Sequence, residues 1–376
     1  MPLGEQDKLR LDCFLSRIRK DSDSFLGYPS SKDFDFSIFK DFLHYPINNI
    51  GDPFIDGSYK VNSKEFEREV LREVASMLRA PEDNWWGYVT NGGTEGNLYS
   101  LYLAREIHPN AMVYFSQASH YSVVKNLHFL NMRHIMIRAQ ENGEMDYDDL
   151  AETINIHRDV PAIIFANIGT TMTEAKDDIK KIQSILDDYA IVNRYIHCDA
   201  ALSGAIAPFL TPRPAFDFAD GADSIAISGH KFIGSPIPCG IVLAKKLAVD
   251  RIAQSISYIG TLDTTISGSR NGLTPLFLWH SIRLLGTKGM RARVSKSLKV
   301  AAYATERLNQ IGVAAWRNEN AITVVFPAPS AVLQDKWQLA TEGDRSHIVA
   351  MPGIENSDID RFINDMKTDM GIKCAS

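Results

Sequence analysis

Residues 223–238 read DSIAISGHKFIGSPIP. The apolar run at the start of this stretch is typical of a β-strand, and Lys231 follows it in a segment rich in glycine and proline, which favours a turn. A second apolar run, residues 195–198, ends at Asp199 and is followed by two alanines. An amine and a carboxylate 32 residues apart are therefore expected at the ends of two strands, where one pocket could hold both.

This pair matches what pyridoxal 5'-phosphate (PLP) requires of a protein. A lysine amine holds the aldehyde of this cofactor as an imine, and a carboxylate keeps its ring nitrogen protonated. Small side chains at Ala200 and Ala201 would let the flat ring approach the backbone. Taken alone, the lysine is as readily a solvated surface residue and the aspartate a helix cap. Their spacing leaves room for one connection and one more strand, which favours the cofactor site.

Seven short apolar runs alternate with helical patterns through the middle of the chain. They cover residues 86–90, 111–116, 134–139, 162–167, 195–200, 224–228 and 239–244. This alternation predicts an α/β fold with a mainly parallel seven-stranded sheet that is covered on both faces. Ligands of such sheets bind outside the carboxyl ends of the strands, which is where Asp199 and Lys231 are expected.

The flanking sequence predicts three parts. Residues 1–60 form an arm that begins with an amphipathic helix at 6–20 and packs on another body, such as a partner subunit. Residues 61–275 form the large domain, which opens with a helix capped by Asn62. Residues 276–376 form a small α/β domain with a long helical stretch, strands at 313–316, 321–326 and 347–351, and a closing helix at 358–370.

Composition excludes several classes of protein. The 376 residues carry a net charge of −6 without a run of Lys or Arg, which argues against nucleic acid or an anionic membrane as the main partner. No apolar stretch approaches the roughly 18 to 20 residues of a membrane span, and the first residues are too charged for a signal peptide. Four scattered cysteines fit reduced thiols, so we expect a cytoplasmic protein without a metal site.

A glycine-rich segment, TNGGTEGN at residues 90–97, follows one predicted strand and opens a helix. Gly93 allows close approach of a ligand, and Thr94 with the free N–H groups of the first helical turn would bind a phosphate ester. The alternative is a turn in which Thr94 only caps the helix.

Another strand end carries SQASHYS at residues 116–122. The His120 ring could cover the cofactor and donate a hydrogen bond to a substrate carboxylate, or it could be a structural histidine. Ser228 and His230 flank Lys231 and could reach the phosphate, although each also suits a turn.

A polar loop at residues 257–272 contains Tyr258, which could give or take a proton. Its 267–272 turn could add phosphate donors, including across a dimer interface. Spacing alone does not exclude a surface loop.

The segments TNGGTEGN, SHYS, HCDAALSG, SGHKFIGSP and TISGSRNG resemble those of the PLP-dependent group II amino-acid decarboxylases. Over nearly its full length the chain is most similar to the bacterial histidine decarboxylases of that group. The resemblance implies PLP fold-type I, as in aspartate aminotransferase, and a homodimer, or a larger assembly of dimers, with active sites at the interface.

The resemblance also implies roles for individual residues. Lys231 would form the Schiff base, Asp199 would bind the pyridine nitrogen, His120 would stack on the ring near the substrate, and Ala201 would lie beneath it. The phosphate would be surrounded by Gly93, Thr94, Ser228 and His230. Tyr258 would protonate the substrate carbon after carbon dioxide leaves.

The functional hypothesis is therefore decarboxylation of L-histidine to histamine, with His120 and Tyr258 contacting the substrate. His197, Tyr258 and the arm are candidates for binding the imidazole. Serine, glutamate or an aromatic amino acid is an alternative substrate. A transaminase or lyase stays open because Arg317 and Arg345 could bind a carboxylate. A non-catalytic interaction protein is disfavoured by the intact lysine, acid and phosphate segment.

Overall fold

The computed structural model describes residues 3–256 and 260–372 and contains a seven-stranded sheet. Its strands are β1 (Trp85–Thr90), β2 (Met112–Ser116), β3 (His134–Ile137), β4 (Ala162–Asn167), β5 (Arg194–Asp199), β6 (Ser224–Ser228) and β7 (Gly240–Lys245). The strand order is β1-β7-β6-β5-β4-β2-β3. β7 runs antiparallel to both of its neighbours, whereas the other pairs are parallel. The predicted seven-stranded, mainly parallel sheet is confirmed.

Ten α-helices occur in the described residues. They are α1 (Glu5–Ser22), α2 (Lys64–Met77), α3 (Gly93–Ile107), α4 (Ser122–Phe129), α5 (Tyr147–Ile156), α6 (Ile179–Asp188), α7 (Lys246–Val249), α8 (Leu273–Gln310), α9 (Ala331–Trp337) and α10 (Asn356–Asp369). The predicted cap of α2 is wrong by one residue, since Ser63 precedes the helix and Asn62 instead accepts a hydrogen bond from the Lys64 N–H. No helix in residues 3–256 and 260–372 combines the length and apolar character needed to cross a bilayer.

The strands of the sheet appear in the sequence as continuous apolar runs, because the central strands are buried along their whole length. Every residue of β4 is buried, as is every residue of β6. Val113, Phe115, Ile163 and Phe165 join one apolar cluster with residues of α3. Burial of each such side chain contributes roughly 1.5 to 3 kcal/mol, so the strand ends are held in fixed register.

Two compact units divide the chain. Ser30–Lys296 form the unit that contains the sheet, and the segment up to Pro29 groups with the chain from Ser297 onward. Helix α8 includes residues of both units, and its helical geometry is interrupted at Gly286, where φ is 54°.

The smaller unit has its own antiparallel sheet, with β12 (Arg345–Val349) between β10 (Thr323–Pro327) and β11 (Ala340–Glu342). The strand predicted at residues 313–316 is wrong, because this segment makes only a single bridge between Trp316 and Val325. Buried Trp337 donates to Asp365 of α10 and packs against Phe362.

A short hairpin of β8 (Gln254–Ile256) and β9 (Thr261–Asp263) follows α7 in the larger unit. Residues 257–259, between these two strands, lie outside the described residues. The predicted proton donor Tyr258 is one of them.

Candidate active site

The carboxyl ends of β5 and β6 place three predicted residues side by side. These strands are parallel and pair Asp199 with Ala226. Asp199 is the last residue of β5, and one of its oxygens accepts a hydrogen bond of 3.1 Å from the Ala201 N–H. The Ser228 N–H, at the end of β6, donates to the Ala201 carbonyl at 3.2 Å. Asp199, Ala201 and Ser228 therefore share one edge of the sheet.

Gly93, the first residue of α3, lies against the same edge. A Cβ at this position would be 2.7 Å from Ser228 Oγ and 3.4 Å from Ala201 Cβ, so a side chain has no room there. The preceding N-cap residue is Gly92, which offers no side-chain cap to the helix. Thr94 is exposed on this first turn and is not the cap that one interpretation of the sequence required. The uncapped N-terminus of α3 suits an anion.

Lys231 lies in a single π-helical turn, His230–Gly234, just past β6. The turn is closed by a hydrogen bond of 3.0 Å from the Gly234 N–H to the Gly229 carbonyl. Burial lowers the pKa of the Lys231 amine, and the carboxylate of Asp199 opposes that shift. The two groups interact electrostatically, and no ion pair joins them among the described residues.

His120 lies close to both of these groups. Its Nδ1 accepts from the Ser122 N–H at 3.3 Å and is 2.7 Å from Ser122 Oγ. The neutral ring therefore carries its proton on Nε2, which remains available as a donor. The pKa of His120 is lowered, mainly because the ring is buried. The charge of Asp199 opposes this shift, and the charge of Lys231 adds to it. The structure thus brings His120, Asp199 and Lys231 together.

His230 is anchored by the backbone of Cys239, the residue that precedes β7. Its Nδ1 lies 2.7 Å from the Cys239 carbonyl oxygen and 3.2 Å from the Cys239 nitrogen, so the backbone of Cys239 holds this side of the ring. Nε2 is then the nitrogen left for a ligand. Burial lowers the pKa of His230, and the Cys239 carbonyl opposes that shift.

Some contributors to the site were missed or misjudged from the sequence. Asn97 of α3 donates to Asp199 at 2.7 Å, and only a polar residue one turn into the helix signals this contact. His197 was expected to be available to a substrate, and that expectation is wrong. Its ring is fully buried in β5, with both nitrogens within 2.9 Å of Asn97 and Ser224.

The 267–272 turn, which was predicted to add donors to a phosphate, contains one basic residue that is used inside the protein. Arg270 is buried, forms an ion pair with Glu67, and donates to the Gly51 carbonyl at 3.0 Å. Its guanidinium therefore fixes the residues around position 50 against α2.

The residues at this edge fit PLP. The lysine amine has no hydrogen bond or ion pair within the part of the chain that the structure describes, as an amine that binds an aldehyde requires. A buried carboxylate lies nearby and has no ionic partner among residues 3–256 and 260–372, and Gly93, Ala201 and Ser228 form a cradle that a larger side chain at position 93 would fill. A flat ring that carries an aldehyde and a phosphate needs these three features, which are the unpaired amine, the buried carboxylate and the open cradle.

Comparisons with known proteins agree with this fit. Residues 21–326 match the model of the pyridoxal-dependent decarboxylase conserved domain. The chain is 51% identical over 361 residues, 96% of its length, to a histidine decarboxylase of Mesorhizobium japonicum, of which 98% is covered. It is 46% identical over 378 residues, 100% of each chain, to a histidine decarboxylase of Morganella morganii.

Solved structures show the same fold. An L-methionine decarboxylase from Streptomyces sp. 590 is 26% identical, with a TM-score of 0.90 over 99% of this chain and 96% of that one. A glutamate decarboxylase from Lactobacillus brevis is 18% identical, with a TM-score of 0.84 over 99% of this chain and 93% of that one. The sheet is thus that of PLP fold-type I. With its cradle, its free lysine amine and a family match over most of its length, the chain belongs to the pyridoxal-dependent decarboxylases.

Proposed function

We propose that this protein decarboxylates L-histidine to histamine and carbon dioxide. The observation that carries the proposal is the similarity, 51% and 46% identity over almost the whole chain, to two proteins named histidine decarboxylase. The methionine decarboxylase of similar fold is only 26% identical, which ranks methionine lower as a substrate.

Lys231 and Asp199 act on opposite sides of the cofactor in this proposal. Bound PLP supplies an acceptor for the electron pair that carbon dioxide leaves behind. The Lys231 amine would hold the cofactor through its aldehyde. Because burial lowers its pKa, a larger fraction of Lys231 is the neutral nucleophile than for a solvated lysine. Asp199 would keep a proton on the ring nitrogen of the cofactor, and Ala201 would leave room for the ring.

His120 and Tyr258 handle the substrate. The free Nε2–H of His120 donates to the substrate carboxylate while its ring covers the cofactor. Tyr258 returns a proton to the substrate carbon, with His120 as the alternative donor. Gly93 and Thr94 at the start of α3, together with Ser228 and His230, bind the phosphate.

The assembly that we propose is a homodimer with active sites at the interface. Helix α1 supports it, because none of its residues is buried and it exposes a set of large apolar side chains. The set consists of Leu9, Leu11, Phe14, Leu15 and Ile18, each at least 45% exposed. A second copy of the chain is the occupant that the sequence of the arm suggests. Sedimentation of the wild type and of Phe14→Glu would compare the two masses.

Two further sequence predictions are kept as proposals. The division into an arm (1–60), a large cofactor-binding domain (61–275) and a small domain (276–376) assigns the candidate site to the second part. The cytoplasm remains the proposed compartment, and the free thiols of Cys13, Cys198 and Cys239 support it.

Carbon dioxide release from a panel of amino acids tests the function. We expect kcat/KM for L-histidine to exceed that for methionine, glutamate, serine and aromatic amino acids by at least about 100-fold, because a pocket that hydrogen-bonds a polar side chain discriminates strongly against analogues that lack it. Absorption in the near-visible that borohydride bleaches would report the cofactor on Lys231. Faster turnover of another amino acid would contradict the proposal that L-histidine is the substrate. A colourless, inactive protein would contradict the proposal that the protein is a PLP-dependent decarboxylase.

A further inference from the structure

A line of buried hydrogen bonds extends from Asp199 into the protein. Asn97 Nδ2 is 2.7 Å from Asp199 Oδ2, Asn97 Oδ1 is 2.9 Å from His197 Nε2, and His197 Nδ1 is 2.9 Å from Ser224 Oγ. The exposed fractions are 7% for Asp199, 2% for Asn97 and 0% for the other two. We call Asn97, His197 and Ser224 the Asp199 relay.

The donors and acceptors of the relay have only one consistent arrangement. A carboxylate oxygen accepts, so Asn97 donates to Asp199 through its amide nitrogen and turns its carbonyl oxygen towards His197. His197 must therefore donate from Nε2–H. Its Nδ1 then accepts from the Ser224 hydroxyl. Each member fixes the orientation of the one before it.

The relay is also electrically neutral. Burial lowers the pKa of His197 to about 3, so the ring carries no charge at neutral pH. The ring also packs against Phe165 in a T-shaped arrangement, with the centroids 5.0 Å apart. A neutral, fixed donor orients the Asp199 carboxylate without supplying a competing charge.

The histidine has a specific effect on the amide. An asparagine side chain can rotate by half a turn, which exchanges its N–H₂ and its oxygen. In the rotated state the Asn97 oxygen would face the Asp199 carboxylate, and two acceptors would meet in a buried site. The single N–H of His197 stabilises the productive orientation because it can pair only with the oxygen.

We propose that Asn97 and His197 are positioning residues that hold Asp199 in the orientation in which it binds the ring nitrogen of PLP. The inference rests on the proposed role of Asp199 and adds the residues that make that role dependable. Ala201 N–H holds the other carboxylate oxygen, so both oxygens are oriented by neutral donors.

Four variants, one of them a control, test this arrangement of hydrogen bonds. Asn97→Leu removes the donor to Asp199 at nearly constant volume, and His197→Leu removes the group that orients Asn97. His197→Gln is the conservative variant, because the glutamine amide nitrogen takes the place of Nε2–H. Asn49→Leu is the matched control, since Asn49 is also fully buried and donates to a carboxylate, Glu67, at 2.8 Å.

The experiment loads each purified variant with PLP that is ¹⁵N-labelled at the ring and records the ¹⁵N chemical shift of that nitrogen. We expect Asn97→Leu and His197→Leu to move the signal towards that of an unprotonated pyridine, and His197→Gln to restore it. In parallel, kcat should fall about 10- to 100-fold with KM changed less than about threefold, as for other residues that orient a group in contact with the reacting molecule.

Asp199→Asn distinguishes a failure of the relay from a failure of the proposed role of Asp199. If it leaves the ¹⁵N signal at the wild-type position, the proposed role of Asp199 fails, and the relay fails with it. If Asp199→Asn moves the signal but Asn97→Leu and His197→Leu do not, only the relay is overturned. A shift of equal size in Asn49→Leu, or no recovery in His197→Gln, would also overturn it.

Discussion

Asp199 and Lys231, which flank the proposed cofactor, are supported in different ways. Asp199 ends an interior strand, between β4 and β6, and is oriented by the buried relay. Lys231 lies in one π-helical turn, whose carbonyl groups are paired by side chains distant in sequence. In their proposed roles, the carboxylate would have to stay in place throughout turnover, whereas the amine would have to leave the cofactor and return. A rigid support under one group and an adjustable support under the other suit these tasks.

The support of Lys231 consists of two side chains. Ser31 Oγ donates to the Lys231 carbonyl at 2.7 Å and to the Phe232 carbonyl at 3.2 Å. Arg293 of α8 donates to the Ile233 carbonyl at 3.3 Å and is paired with Asp33. A π-helical turn has wider spacing than an α-helix, and such turns are frequent at functional sites. Loss of one side chain should therefore loosen the turn without unfolding the sheet.

The largest expected effect is that of Lys231→Met, which removes the amine and keeps the apolar length of the side chain. We expect carbon dioxide release to fall by about 10⁴-fold or more, the scale of removing a covalent nucleophile. The free energy of unfolding of the apoprotein should not fall, since burial disfavours the charged amine. Turnover rates and urea unfolding measure the two effects. Retained activity would remove Lys231 from the centre of the site.

A smaller effect, a loss of stability in acid, tests the buried support of Asp199. The pKa of His197 is lowered to about 3 in the folded state by burial, below that of an unfolded histidine. The unfolded chain therefore binds more protons between these two pKa values, and the stabilisation present at neutral pH is lost as pH falls. From about pH 7 to about pH 5 the wild type should lose about 2 kcal/mol more than His197→Gln.

Urea unfolding of the apoprotein at several pH values measures that difference. Asn49→Leu serves again as the control, because it removes a buried amide without removing a titrating group. Parallel pH profiles for the wild type and His197→Gln would show that His197 is solvated or charged in the folded protein.

Much of the region around Asp199 could be predicted from the sequence. Strands buried on both faces, such as β4 and β6, appear as unbroken apolar runs, and the polar residues that follow them mark the carboxyl edge. Asp199 and Lys231 were identified on that basis. His197 was misjudged because a histidine within an apolar strand carries no sign of its partners, Asn97 and Ser224, which lie on other elements.

The support of Lys231 could not be predicted in this way. Ser31 precedes Lys231 by 200 residues and Arg293 follows Ile233 by 60, and both bind backbone carbonyls. A carbonyl is present at every residue, so the sequence holds no sign of which one a distant side chain will choose. Periodicity reports burial, and it does not report these contacts.

The smallest expected effect, that of Ser31→Ala, tests the adjustable support of Lys231 directly. Removing the hydroxyl leaves two carbonyls of the turn, one buried and one partly buried, with one donor fewer, which should cost about 1 kcal/mol locally. The amides of residues 229–235 should exchange hydrogen about fivefold faster. The control is Ser235→Ala, because buried Ser235 donates to the Ile237 carbonyl at 2.7 Å and not to the turn. Hydrogen-exchange mass spectrometry of the two variants separates them. Equal exchange would mean that the turn holds its own shape, and the contrast between the two supports would disappear.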